Sequence, residues 1–468
     1  MRRAVDRLVA TIARIATRGL FRSVEVVGFE QLEPGVPRLI VANHFNGFVD
    51  PVVIAGALGR LPRFIAKATL WRTPGVPLLL GAAGVLPVHR TVDGGGDNQG
   101  TFREVVRELH RGETVAIFPE GTTHDNPHLS PVRTGAARLA LDAAHDGVAA
   151  MEVVPIGVTF EDKVAVRTRV VVRAGAPIDP ASTPYRDAGG EPVGSDDHEA
   201  VRRLTDQIHE GLAEVAPDFD DLLDAAEMRR AADVALRSRH LRPLAEVPLA
   251  EREALAKRLD RLPPDQRDPI ATAAAEYDLL RSTINVRDEV LEPPVSIRVL
   301  VVRLVTTALA VFVLAPFAIV GLLANVVPAT LVGLAGMAAR APVSKGTNRV
   351  LVGLVAFPAT WATLAVLDVG DHGLRATVAG ITAPLDPLLD LVGGRSGWAA
   401  SVVLFLALPA LGLLAVWLAE RASVLYHSYR AVTTTVNRRG QIAGLRERRR
   451  ALRQLVEDGV AGTDAGPA

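Results

Sequence analysis

His44 and Asp50 are the residues of this chain best suited to handling a proton. They flank the short segment Phe45-Asn46-Gly47-Phe48-Val49, which follows the apolar run Leu39-Ile40-Val41-Ala42 and Asn43. An imidazole held in one tautomer by a carboxylate can take the proton of a hydroxyl and send its oxygen onto an acyl carbonyl. The plainer reading is a core histidine donating to Asp50. His and Asp six positions apart occur by chance in many chains, so the neighbouring segments decide between the two.

Four further segments carry chemistry. Gly84-Val85-Leu86-Pro87-Val88-His89-Arg90 brings Arg90 to the end of an apolar run, where a planar guanidinium can grip phosphate oxygens in bidentate fashion or simply form a surface ion pair. Phe118-Pro119-Glu120-Gly121-Thr122-Thr123 follows the candidate strand Thr114–Phe118, and the amides of its Gly-Thr turn can face an anion. Arg133-Thr134-Gly135-Ala136-Ala137 opens a helix, another place where backbone donors favour phosphate. Val154-Pro155-Ile156-Gly157-Val158 is an apolar strand interrupted by proline, suited to lining an acyl groove. Lys67, in Phe64-Ile65-Ala66-Lys67, is one of only four lysines among 52 basic residues, and with Arg133 it is a further phosphate candidate. His89, His110, His124 and His128 have no evident partner, and His124-Asp125 reads as a turn rather than a second acid–base pair. No His/Asp/Glu spacing amounts to a metal site.

Composition limits what these residues can serve. The formal net charge is zero and aromatics are 4%, which argues against a nucleic-acid partner held by a basic field or base stacking. Cysteine is absent, which removes disulfides, thiolate nucleophiles and Cys-ligated metals together. The chain is long enough for two or three domains.

Residues 1–21 place Val5, Leu8, Val9, Ile12, Ile15, Ala16 and Leu20 at helical spacing, with Arg3, Arg7, Arg14 and Arg18 opposite. Such a basic amphipathic helix can lie in the headgroup layer of an anionic bilayer, and it is too charged and too early broken for a secretory signal. Residues 22–215 alternate apolar runs with helical patterns, as an α/β domain does. Its strand candidates are Val24–Val27, Arg38–Val41, Thr114–Phe118, Glu152–Val158 and Arg169–Val172, with helices over Gly100–His110 and Thr134–Ala144. The stretch Ala174 to Asp197 reads as an exposed loop. Residues 216–297 form a helical segment whose charges read as a solvated face.

The region 298–420 is expected to enter a membrane. Leu304 to Ala339 is 36 residues without a formal charge, long for one span of ~20 residues and tight for two. Asn325-Val326-Val327-Pro328 near its middle offers a turn, so 304–339 is expected to be a short hairpin or re-entrant pair. Val350–Leu367 and Ser396–Ala419 are two further spans, the first with a tolerable Pro358. Arg340, Lys345 and Arg349 precede the first of these, and a basic tail, 421–468, follows the last. Asp368, Asp371, Asp386 and Asp390 mark the loop between them. The positive-inside rule then puts the α/β domain, the basic loop and the tail in the cytoplasm of a multi-pass cell-membrane protein, provided the hairpin goes in and comes back.

Taken together, the segments at His44–Asp50, Arg90, Phe118–Gly121 and Val154–Val158 resemble, in order and spacing, the four motifs of the glycerolipid acyltransferase (PlsC-like) superfamily, over roughly residues 22–215. The resemblance implies an α/β acyltransferase domain, here with an N-terminal amphipathic helix, a helical segment and C-terminal transmembrane helices. Members transfer a fatty acyl group from acyl-CoA or acyl-carrier protein to a glycerophospholipid precursor. It also implies that His44 and Asp50 are catalytic and that Arg90, Glu120, Gly121 and Thr122 bind the acceptor. Glu120 has an alternative, a structural carboxylate bonded to backbone amides. No cofactor is expected, because a thioester is already activated. The family pattern has four residues between His and Asp, whereas five stand here. That spacing, with Glu120-Gly121-Thr122-Thr123-His124-Asp125 and the multi-span C-terminal region, looks like the yeast-type glycerol-3-phosphate acyltransferases and shifts the expected acceptor towards glycerol-3-phosphate. Another lysophospholipid or a glycolipid is the alternative acceptor, and an inactive membrane scaffold or transport protein the alternative class.

Overall fold

The computed structural model describes residues 2–72, 76–89, 98–239, 245–286, 288–291, 297–369, 375–391, 394, 398–437 and 439–464. The chain divides into two compact units, Met1–Ala225 with Pro248–Lys257, and Ala226–Val247 with Arg258–Ala468.

Among the described residues, the first unit is a seven-stranded sheet covered by helices. In chain order it runs α1 (Arg2–Leu20), β1 (Phe21–Val27), β2 (Arg38–Ala42), α2 (Val49–Leu58), β3 (Arg63–Lys67), α3 (Val76–Ala82), β4 (Leu86–Val88), α4 (Gln99–His110), β5 (Thr114–Ile117), α5 (Gly135–His145), β6 (Glu152–Phe160), β7 (Thr168–Ala174) and α6 (His198–Val215). The strand order is β1-β7-β6-β2-β5-β3-β4. Every pair is parallel except β6 with β7. The carboxyl ends of β2, β5, β3 and β4 therefore share one edge, where open α/β sheets bind their ligands.

A parallel strand covered on both faces reads as a continuous apolar run, and β2 is buried at all five positions. Leu39 and Val41 join Val105, Leu109, Leu139, Leu204 and Ile208 from α4, α5 and α6 in one core cluster. Gly157 lets α6 end close against β6, because a Cβ there would overlap the Val215 carbonyl. The strands β3 and β4 had no counterpart among the sequence candidates: β4 has only three residues, and β3 has a charged residue at each end. Arg63 is nonetheless buried, bonded through both terminal nitrogens to Asp6 of α1 at 3.1 and 2.9 Å.

The stretch from Ala174 to Asp197 is less exposed than its composition suggests. Ile178 pairs with Val153 in an antiparallel bridge, and Ile178 and Tyr185 enter the core cluster. Helix α1 buries its small residues Ala10, Ala13 and Thr17 and leaves Val5, Leu8, Ile12 and Ile15 exposed.

Glu161, just after β6, is ringed by arginines. Burial alone would raise its pKa, but the hydrogen bonds and charge of Arg169, then the charges of Arg22 and Arg252, outweigh burial and lower it from 4.5 to about 2. A depressed carboxylate contributes stability that is complete above its unfolded pKa and is lost as pH falls through its folded one. The stability difference between the wild type and Glu161→Gln is therefore expected to be full at pH 6 and to shrink between pH 4.5 and 2, read from paired thermal melts. A difference independent of pH would exclude this linkage.

The second unit is helical. α7 (Leu222–Arg239) enters it at Ala226, α8 (Leu249–Asp260) belongs to the first unit as far as Lys257, and α9 (Pro264–Ile284), α10 (Asp288–Leu291), α11 (Ile297–Met337), α12 (Pro342–Val369), α13 (Arg375–Thr382), α14 (Asp386–Asp390), α15 (Trp398–Asn437) and α16 (Arg439–Asp464) lie within it. Among the described residues, three of its helices are long and apolar enough to cross a membrane: Val301–Met337, Ser344–Asp368 and Trp398–Arg430. The stretches Val350–Leu367 and, from Trp398, Ser396–Ala419 fall within α12 and α15.

The expected hairpin within 304–339 is not formed. Helix α11 runs unbroken through Asn325 and Pro328. The polar groups that suggested a turn are met sideways. Asn325 Nδ2 donates to the carbonyls of Gly321 (2.8 Å) and Leu408 (3.4 Å), and Asn325 Oδ1 accepts from Trp361 Nε1 at 2.9 Å. Gly321 lies against Leu411, and Thr306 takes a hydrogen bond from Arg421 at 3.5 Å, so α15 runs antiparallel to α11. Arg340, Lys345 and Arg349 consequently lie at the end of this pair away from Arg421, instead of being returned to its side.

The charges of 216–297 are also not all solvated. Asp288 is buried between Arg449 of α16 (3.0 and 3.3 Å), Arg237 of α7 (3.0 Å) and the Tyr277 hydroxyl of α9. Burial would raise its pKa, but the Arg449 guanidinium, aided by Tyr277 and Arg237, holds it below the usual carboxylate range, while burial and Asp288 push the Tyr277 phenol up. The tail is helical from Arg439, and its Ile442, Leu445, Leu452 and Val456 are buried.

Candidate active site

Asn43 ends the sequence's clearest strand and clamps it. Its side chain donates to the Val158 carbonyl at 3.0 Å and accepts the Val158 amide at 2.7 Å, which ties the end of β2 to β6. The chain then turns sharply through Gly47, which has φ +29°, into α2. Asp50 lies in the first turn of α2, where a negative charge is favoured by the helix dipole.

This geometry absorbs the fifth residue between His44 and Asp50. His44 Nδ1 lies 2.9 Å from Asp50 Oδ2, and the Asn46 amide donates to the same oxygen at 2.8 Å. Asp50 is fully buried, while the His44 side chain is 17% exposed. An ionised Asp50 only accepts, so the shared proton belongs on Nδ1 and Nε2 is left with its lone pair. The ring stacks on Phe118 at 3.9 Å and 14°, which fixes its plane. Among the described residues His44 Nε2 has no hydrogen-bond partner.

Glu120 is turned inward. Its Oε1 accepts the His44 amide at 2.7 Å, and its Oε2 accepts the Ser130 amide at 3.0 Å and meets His124 Nε2. Both oxygens are thus engaged inside the protein, the structural alternative weighed from the sequence. Gly121 adopts a left-handed φ of +71° and donates its amide to the Phe118 carbonyl at 3.0 Å. Arg133 is brought over this turn: its amide donates to Pro119 O and its Nε to Glu120 O, at 3.0 and 3.2 Å. A Cβ on Gly121 would stand 3.0 Å from Arg133 Nε, so the small residue makes room for the guanidinium.

Two of the remaining expected residues, Thr122 and Lys67, lie along the same edge. Thr122 is exposed, its hydroxyl turned to the Thr123 carbonyl at 3.4 Å. Lys67 is exposed at the carboxyl end of β3, opposite Val88 of β4. Arg90 lies outside the described residues. No group of three or more metal-ligating side chains occurs among the described residues.

Sequence reasoning missed three contributors. Asn43 was visible beside His44, but its clamp is made to a strand 115 positions away. Lys163 pairs with Asp125 at 2.6 Å and takes Asn46 Nδ2 on its own carbonyl at 3.3 Å. The partner of His124 is Glu120, four residues earlier, and not the adjacent Asp125. That separation in a turn was the available signal.

The family model "Acyltransferase" matches residues 23–159. Glycerol-3-phosphate O-acyltransferase 2 of Saccharomyces cerevisiae is 35% identical over 138 residues, which are 29% of this chain and 18% of that protein. Lyso-ornithine lipid O-acyltransferase of Pseudomonas aeruginosa is 32% identical over 209 residues, 44% of this chain and 68% of that protein. The match thus spans about a fifth of the yeast relative and two thirds of the bacterial one. The crystal structure of the 1-acyl-sn-glycerophosphate acyltransferase PlsC from Thermotoga maritima aligns with 46% of this chain and 80% of its own, at 20% identity and a TM-score of 0.35, too loose to compare sites.

Proposed function

We propose that this chain, which belongs to the PlsC-like glycerolipid acyltransferase superfamily, moves a fatty acyl group from acyl-CoA or acyl-carrier protein to a hydroxyl of glycerol-3-phosphate or lysophosphatidate. The observation that carries this reading is the His44–Asp50 pair at 2.9 Å, with Nε2 unpartnered at the carboxyl edge of the sheet. In the proposed reaction Nε2 takes the acceptor's hydroxyl proton as that oxygen attacks the thioester carbonyl. The tetrahedral intermediate then collapses, the ester forms, and the carrier's sulfur leaves and receives the proton from the imidazolium. Asp50 orients the ring and stabilises its cation without taking the proton.

Arg90, Lys67 and Arg133 are proposed to hold the acceptor's phosphate. Arg133 has the best support among the described residues, because its bond to the Glu120 carbonyl holds it at the Gly121 turn. Glu120 and Gly121 would act on the substrate through this turn and through His44 rather than by direct contact. The exposed Val5, Leu8, Ile12 and Ile15 of α1, with the apolar helices of the second unit, support work at a bilayer. The arginines that follow Arg421 favour the cytoplasmic face of the cell membrane for the end of the chain.

A second acceptor class is favoured by one observation: the bacterial relative matched over 68% of its length is a lyso-ornithine lipid O-acyltransferase. The deciding experiment offers purified protein labelled acyl-CoA or acyl-carrier protein, with glycerol-3-phosphate, lysophosphatidate and lyso-ornithine lipid in parallel. Turnover is expected with a phosphorylated acceptor. Transfer to lyso-ornithine lipid alone would replace that acceptor, and no transfer to any would leave an inactive membrane scaffold.

A further inference from the structure

His124 has defined surroundings that the proposed reaction does not use. Its side chain is nine-tenths buried and its Nε2 meets Glu120 Oε2. Glu120 has no exposed side-chain surface and its other donors are the amides of His44 and Ser130. A carboxylate only accepts, so the proton in the third bond resides on His124 Nε2. A buried carboxylate is tolerated as an ion when donors satisfy it, and here the side-chain donor is this ring.

The ring also touches the loop that carries the proposed base. Phe45, the residue after His44, meets His124 edge-on with ring centroids 5.0 Å apart and planes at 84°. Lys163 donates to the His124 carbonyl at 3.4 Å, and its ammonium lies 5.8 Å from the Phe45 ring centroid. The Lys163 carbonyl accepts from Asn46 at 3.3 Å. His124, Glu120, the His44–Asn46 main chain and Lys163 therefore close a ring of contacts around the start of the His44–Asp50 loop.

We infer that His124 is a positioning residue for acyl transfer: through Glu120 it fixes the main chain of His44, and through Phe45 the loop that brings Asp50 to the imidazole. This rests on the proposed function, in which His44 is the base. A displacement of about 1 Å at a reacting group costs on the order of 10²-fold in rate. A shift within the loop moves the base without removing it, so the loss falls on kcat.

The test compares His124→Leu and His124→Gln in the full-length protein. Leucine keeps bulk without a donor; glutamine returns an N–H towards Glu120. In His124→Leu, kcat is expected to fall about 10- to 100-fold with KM for donor and acceptor within about twofold. His124→Gln should recover most of it, and adding Glu120→Gln to His124→Leu should cost little more than either alone, because the two act as a unit. Wild-type kcat in His124→Leu overturns the inference. So does a loss equal in both variants and matched by a drop in melting temperature, which would make the ring a filler only. A wild type inactive towards every acceptor removes the proposed function itself and this inference with it, whereas an active wild type indifferent to His124 removes only the latter.

Discussion

Replacing His44 with alanine is expected to lower kcat for acyl transfer by about 10²–10⁴-fold, the usual contribution of a positioned general base. The side chain is partly exposed and its ring bonds only Asp50 among the described residues, so the fold should survive its removal. Melting temperature and membrane insertion are expected to stay near wild type. Asp50→Asn should fall in the same range for a different reason: an amide can present its N–H to Nδ1, which favours the tautomer that puts the proton on Nε2 and blocks the base. The measurement is single-turnover transfer from labelled acyl-CoA at saturating acceptor. Retained turnover in His44→Ala would remove His44 as the base.

The largest effect on stability is expected at Asp288. Asp288→Asn leaves Arg449 and Arg237 as buried cations without their shared carboxylate. Breaking a buried pair by deleting one partner costs about 3–5 kcal/mol. Trp361, Trp398 and Trp417 lie in the second unit and only Trp71 in the first, so tryptophan fluorescence reports mainly on the unit that should melt early. Arg449→Met should cost less, because Asp288 keeps Arg237 and the Tyr277 hydroxyl. A melt of Asp288→Asn that coincides with wild type would show that these cations find water or other partners.

Much of the first unit was legible because its physics is local. The run Leu39–Ala42 is apolar on both faces and had to be a covered strand, and a histidine two residues after it had to emerge at the sheet edge. The bond from His44 to Asp50 needs only a turn and one helical turn, so spacing sufficed. Other parts depend on distant partners. Arg63 is a poor strand residue until Asp6 neutralises it, which hid β3. The oxygens of Glu120 meet the His44 and Ser130 amides and the His124 ring, none of which adjoins it in the sequence. In the second unit Asn325 and Pro328 carry a turn signature, yet Trp361 and the Leu408 carbonyl sit on other helices and remove the need for one. The same holds for Asp288, whose solvated appearance in the sequence ends with an arginine 161 residues later.

Helix α15 runs back along α11, and the consequence is one of parity. In a bilayer that both helices cross, Ile297 at the start of α11 and Asn437 at the end of α15 would lie on the same side. The path of the intervening segment does not alter this, and neither does the number of apolar stretches it contains. The side to which α15 returns would then follow from a single packed pair, set where Gly321 meets Leu411, rather than from a tally of apolar stretches along the sequence.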